Sequence, residues 1–178
     1  MRTLFKMPVT LFAAALFSAT SALGDAAPLP ERETPRPRTT DGVPHVQIGI
    51  KPIPALSDEL LRRVALFPGV KIGATRVSLP GAAGFQLEPG FPIARPKSIV
   101  GGREFAHLHP DGSLHASLSP EMAIASIAAG WAIAHPWADE RPGWEGFVMI
   151  YTPQSEPELE TVFDLVQSSY EFVTGQEL

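Results

Sequence analysis

The chain has 178 residues, no cysteine, and 14 Lys and Arg against 19 Asp and Glu, for a formal net charge of −5. That length buries one core and leaves too little for a comfortable second. The acidic balance argues against nucleic acid as a partner, because phosphate neutralisation takes clustered Lys and Arg. Without a thiol there is no disulfide framework, no thiol nucleophile and no iron–sulfur cluster.

Arg2 and Lys6 precede the apolar run "MPVTLFAAALFSATSAL", and Ala22-Leu23-Gly24 offers small residues where a signal peptidase reads. Residues 1–24 are therefore expected to be a signal peptide, cleaved near Gly24, with the protein periplasmic or secreted. The alternative is an uncleaved anchor, since the run from Met7 to Leu23 is at the lower edge of bilayer-spanning length; membrane contact is expected only in that case. Residues 25–44 carry five prolines among alternating charges and read as a disordered linker, leaving 45–178 as the folded domain.

"ALSDELLRRVALFPGV" predicts the first helix, with Ser57 as N-cap, Asp58 and Glu59 in the first turn, Leu60, Leu61 and Val64 on the apolar face, and Pro68-Gly69 as the stop. "KIGATRVSL" and "GFQLEP" read as short strands. "HPDGS", residues 109–113, is turn chemistry: Pro110 sets φ, Asp111 tolerates the second position and Gly112 supplies the left-handed residue of a three-residue hairpin loop. Pairing outward from that turn sets Leu108 against Leu114 and His107 against His115. Alternation then gives one face to Ala106, Leu108, Leu114, Ala116 and Leu118, and the other to Phe105, His107, His109, Ser113, His115 and Ser117. Ser119-Pro120-Glu121 starts a second helix that ends at Gly130, "GFVMIYTP" is a buried strand, and "SEPELETVFDLVQSSYEFVTG" is a closing amphipathic helix. The fold class is α+β: a small, mostly antiparallel sheet bearing a histidine hairpin, packed by about three helices.

Three of the five histidines thus share one hairpin face. Three neutral imidazoles can hold a divalent metal and leave a position open, in which case His107, His109 and His115 are the ligands and His135 a candidate fourth. They can equally form a proton-handling cluster, or a solvated polar face. His135, just after the helix that ends at Gly130, is expected to return toward the hairpin. Trp131, Trp137 and Trp144 either stack on a flat ligand or complete the core.

"REFAHLHPDGSLHASL", "GWAIAHPWA", "GFVMIYTP" and the closing helix resemble, in that order, the blocks of the fungal luciferase family and its bacterial relatives of unassigned activity. The resemblance covers about residues 95–175, with Ala132 standing where a glycine is usual. For the fungal members it implies an oxygenase without an organic cofactor, which adds O₂ to an electron-rich hydroxypyrone with loss of CO₂ and emission of light, and which carries an N-terminal membrane segment. By position it implies His107, His109, His115, His135 and Arg103 as catalytic candidates and Glu104 and Trp131 as substrate-binding ones, to which the aromatic Trp137 beside His135 is added as a third. The expected partners are a small enolic or aromatic molecule and O₂. No cofactor is expected, though a divalent metal is possible. Light emission is not expected here, because a shared fold does not carry the substrate with it.

Overall fold

The computed structural model describes residues 28–178; the expected signal peptide lies outside the described residues. Strands β1 (Arg38–Thr39) and β2 (Gln47–Ile48) form a two-stranded ribbon. They are followed by helix α1 (Pro54–Val64), strands β3 (Val70–Ala74), β4 (Ala83–Leu87), β5 (Glu104–Leu108) and β6 (Leu114–Ser117), helix α2 (Pro120–Ala128), strands β7 (Ala132–Ala134) and β8 (Phe147–Ile150), and helix α3 (Glu156–Thr174). The main sheet runs β3-β4-β5-β6-β8-β7 with every neighbouring pair antiparallel. The architecture is α+β, as composition and patterning predicted.

One face of the sheet is packed by α3, with α1 lying against α3. Leu60 and Val64 of α1, Leu159, Val162, Leu165, Val166 and Tyr170 of α3, and Phe85, Leu108, Leu114 and Ala116 of the sheet form the core. Tyr170 is fully buried, and its phenol escapes the cost of burial by donating to the Pro68 carbonyl at 2.9 Å. Helix α3 starts at Ser155, whose hydroxyl accepts from Glu158 N, and stops at Gly175, which takes φ +72°. Helix α2 is capped by Ser119 with Pro120 next, as expected. The first helix begins earlier than predicted. Pro54 opens it, Ile53 is its N-cap without a side-chain bond, and Ser57 lies inside the helix, where its hydroxyl caps nothing. Proline at a first helical turn competes well with a serine cap because the N–H it lacks has no helical partner anyway. The edge strand β7 and the β1–β2 ribbon were not anticipated; at two and three residues they are too short to show a period.

Residues 28–44 do not behave as the expected disordered linker. They are laid across the domain. Arg32 pairs with Glu158 at 3.2 Å, donates to the Thr152 carbonyl at 2.9 Å, and lies over the rings of Trp131 and Tyr151. Trp131 Nε1 donates to the Pro30 carbonyl, and Arg36 donates to the carbonyls of Ile127 and Ala128 at the end of α2. A proline-rich segment has little backbone entropy to lose, so a few such bonds hold it in place.

Candidate functional site

The hairpin places its residues in the predicted register: Leu108 faces Leu114, His107 faces His115, and His109 N donates to Ser113 O at 2.8 Å. Gly112 takes φ +83°, the left-handed value the turn requires. Its second face is not solvated: every residue of β5 and β6 is buried. Over that face, residues 43–45, 77–79, Val100 and Trp137, with Phe147 of the sheet and four hairpin and loop histidines, line a partly open cavity of about 280 Å³.

Alternation along β5 is broken, with consequences for the site. Gln86 pairs with Glu104 and Phe85 with Ala106, so Phe105 is an extra residue with no partner on β4. This bulge turns Phe105 into the core, against Phe85 and Tyr170, where regular alternation had put it beside the histidines. The same shift brings Glu104 onto the histidine face three residues before His107. Glu104 Oε1 then accepts from His107 Nδ1 at 3.0 Å and from Thr75 Oγ1 at 2.7 Å, while Oε2 accepts from Arg76 N at 3.0 Å. Gly84, opposite His107, leaves room for this carboxylate; a Cβ there would lie 2.5 Å from Oε2. Burial pushes the Glu104 carboxyl up, but the bonds from His107, Thr75 and Arg76 more than offset it and hold the group below its ordinary value.

Because its Nδ1 proton goes to the carboxylate, His107 presents a bare Nε2, which faces His115 Nδ1 at 3.1 Å. The two nitrogens share either one proton or one cation. His109 is oriented in the same way. Ser113 Oγ donates to Asp111 Oδ1 at 2.7 Å and so is left to accept from His109 Nδ1 at 3.0 Å, which bares Nε2 of that ring as well. The rings of His107, His109 and His115 sit 4.6 to 5.1 Å apart.

His135 does return to this face. Its ring lies 4.5 Å from His115 and 4.4 Å from Phe147, and its backbone N donates to the Phe147 carbonyl. Its Nδ1 accepts from Trp137 N at 3.0 Å, so Nε2 carries the ring proton. Trp137 packs on His135 and stacks at 6.2 Å on Trp144. The fifth histidine, His45, was missed. It stacks on His115 at 5.4 Å and meets His135 edge-on at 5.1 Å. Gln47, two residues on, latches this stretch to the hairpin: its N donates to Asp111 Oδ2, its amide nitrogen donates to Thr152 Oγ1, and its amide oxygen accepts from Thr152 N. The available sequence signal was the count itself, five histidines with four already on one site.

Burial lowers the pKa of His45. Burial, then repulsion from His107 and His45 only partly opposed by Asp111, brings His109 to about 4. Burial and then the neighbouring imidazoles bring His135 to about 3 and hold His115 well below its ordinary value. These four rings are neutral at pH 7. Among the described residues, the buried imidazole nitrogens with no hydrogen-bond partner are His45 Nδ1 and His115 Nε2, both from residues lining the cavity. Two groups of three histidines bring ligand-capable atoms within 4.8 Å of one another, His45/His115/His135 and His107/His109/His115.

Two sequence candidates lie elsewhere. Arg103 is turned to the opposite end of β5, where Nε donates to the Leu87 carbonyl at 3.0 Å and Nη2 to that of Phe91; it does not line the cavity. Trp131 is a core residue held by the Pro30 carbonyl, away from the histidines.

Residues 102–169 match the family model described as "Luciferase domain". Luciferases of Armillaria gallica and Armillaria ostoyae are each 30% identical to this chain over 167 residues, and that of Armillaria mellea is 29% identical over the same length. Each alignment covers 83% of this chain and 62% of the relative, so the chain spans a little under two thirds of the relatives it matches. No solved structure matches. Four of the five cavity histidines, His107, His109, His115 and His135, fall inside the segment that is similar to the luciferase domain of the fungal luciferases.

Proposed function

We propose that the histidine-lined cavity binds a small, flat enolic or aromatic molecule through its acidic hydroxyl and oxygenates it, without emission of light. The observation that carries this reading is the pair of partnerless buried nitrogens, His45 Nδ1 and His115 Nε2, on two residues that line one cavity with Trp137 and Phe147. A buried polar atom without a partner is one a ligand completes, and flat aromatic walls suit a planar one. One ring nitrogen of the pair accepts the hydroxyl proton and the other donates to the oxygen that becomes negative. The resulting anion is electron-rich at carbon. Its electron pair reduces O₂ to a carbon-bound peroxide, a C–O bond forms, and the proton held on the imidazole returns to the distal oxygen, so no external reductant is needed. Similarity to the luciferases of Armillaria supports the choice of oxygen chemistry. The N-terminal pattern of Arg2, Lys6 and the apolar run supports placing this activity in the periplasm or outside the cell.

An oxygen electrode tests the proposal directly. Hydroxypyrones and electron-rich phenols are offered as substrates to the untagged protein. One O₂ consumed per substrate is expected, falling about 100-fold or more in His45→Ala or His115→Ala, the range general acid–base groups supply. No uptake with any member of the series, or uptake unchanged in both variants, refutes it.

A further inference from the structure

We propose that His107, His109 and His115 hold a divalent transition metal of the zinc and cobalt class, with Glu104 and the Ser113–Asp111 pair as the outer shell that orients two of its ligands. Metal-binding imidazoles nearly always donate their second ring N–H to a carboxylate, a carbonyl or a water, which fixes the tautomer and the ring. His107 does so to Glu104 and His109 does so to Ser113, itself bonded to Asp111. Both therefore keep a bare Nε2, and one ligand atom from each of His107, His109 and His115 lies within 4.8 Å of the others. His107 Nε2 and His115 Nδ1 are 3.1 Å apart, close to the roughly 3.4 Å that separates two ligands each about 2.05 Å from a tetrahedral ion. The rings of His107 and His109 stand at 86° and 87° to that of His115. Glu104 and Asp111 place two carboxylates just outside a set of uncharged ligands, offsetting the ion's charge.

The competing triad of His45, His115 and His135 lacks this support. His135 Nδ1 accepts a backbone N–H, so its Nε2 carries a proton where a ligand needs a lone pair, and His45 Nδ1 has no hydrogen bond to orient its ring. Three nitrogen donors and no carboxylate in contact with the ion exclude calcium and magnesium as natural occupants. Ligation through Nδ1 leaves His115 Nε2 carrying its proton at the cavity, where it is the donor of the pair described above and His45 Nδ1 the acceptor. The metal site shares His115 with the cavity, but its test needs no substrate.

The test uses the untagged chain, stripped by dialysis against a chelator and titrated with Co²⁺ and then Zn²⁺, reading the visible bands of four-coordinate cobalt. One cobalt per chain, displaced by one zinc, is expected. His109→Ala is expected to abolish the bands, Glu104→Gln and Ser113→Ala to weaken affinity 10- to 100-fold, and His135→Ala to leave stoichiometry and bands intact. Circular dichroism of each stripped variant reports folding. If His109→Ala does not fold, the Glu104→Gln and Ser113→Ala affinities decide. The proposal is overturned by folded wild-type protein that takes up no cobalt, by Glu104→Gln and Ser113→Ala binding as wild type, or by His135→Ala losing the ion.

Discussion

Gly84→Ala isolates the contact on which the geometry of His107 depends. In an ordinary strand this substitution stabilises by about 0.5–1 kcal/mol, because alanine has less backbone entropy to lose on folding. Here the new methyl would lie 2.5 Å from Glu104 Oε2, 2.9 Å from its Cδ and 3.1 Å from Thr75 Cα. Glu104 lies on β5 and Thr75 just beyond β3, the two strands hydrogen-bonded to β4 on either side, so the carboxylate must give way rather than the backbone. Its displacement breaks one or two of the three bonds it accepts from His107, Thr75 and Arg76. Hydrogen bonds to a charged group contribute about 1.5–3 kcal/mol each, so a net loss of about 2–4 kcal/mol is expected in urea denaturation, opposite in sign to the generic effect. The His107 Nδ1 proton resonance, shifted downfield by the carboxylate, should move or vanish in parallel. Combined with Glu104→Gln the two losses should be less than additive, since both act on the same bonds. A stabilised Gly84→Ala protein with an unmoved His107 signal would refute the assigned role of Glu104.

Leu114 is fully buried opposite Leu108 and Ile150, and Leu114→Ala is expected to cost about 2–5 kcal/mol by the midpoint of urea unfolding, for lost burial plus the cavity left behind. The Arg32–Glu158 pair ties residues 28–44 to α3, and the Glu158 carboxyl, pushed up by burial, is held below its ordinary value by Thr34, Gln154 and Arg32. A carboxyl with a lowered folded pKa contributes stability that is present above its unfolded pKa of 4.5 and lost as pH falls through the folded value. Urea unfolding followed from pH 7 into the acid range should therefore show a steeper fall for wild type than for Glu158→Gln. At pH 7 that variant should already be about 3 kcal/mol weaker, because Arg32 is left buried and unpaired. Trp137→Ala removes a flat wall of the cavity and should weaken binding of a hydroxypyrone about tenfold in a fluorescence or absorbance titration, the loss of one aromatic contact of about 1–1.5 kcal/mol, with melting little changed.

The hairpin was legible because its turn residues admit few geometries: proline, aspartate and glycine in that order fix the loop, the loop fixes the register, and the register sets His107 against His115. Helix ends at Ser119 and Ser155 were legible for the same reason, each a local device with a local cause. What escaped is what depends on a partner strand. The bulge at Phe105 exists because of how β4 pairs, and nothing within "REFAHL" announces it, so alternation assigned Phe105 to the wrong face. The resemblance implied Glu104 as a substrate-binding residue; its carboxylate accepts from His107, Thr75 and Arg76. The resemblance implied Arg103 as a catalytic candidate; its guanidinium donates to the carbonyls of Leu87 and Phe91 instead. His45 was hidden by its setting: it follows a proline-rich stretch with the composition of a linker, and the bonds that fold it back, through Gln47 to Asp111 and Thr152, join residues 64 and 105 positions apart.

On the function proposed above, the buried imidazoles take a small acidic hydroxyl compound as its anion. The absorption spectrum of a hydroxypyrone, titrated with the protein under nitrogen and well below its solution pKa, measures this directly. Saturable conversion to the anion's red-shifted band is expected with wild type, and loss of that conversion in His45→Ala and in His115→Ala while both variants keep the wild-type circular dichroism. A spectrum that stays that of the neutral compound at saturating protein would contradict it.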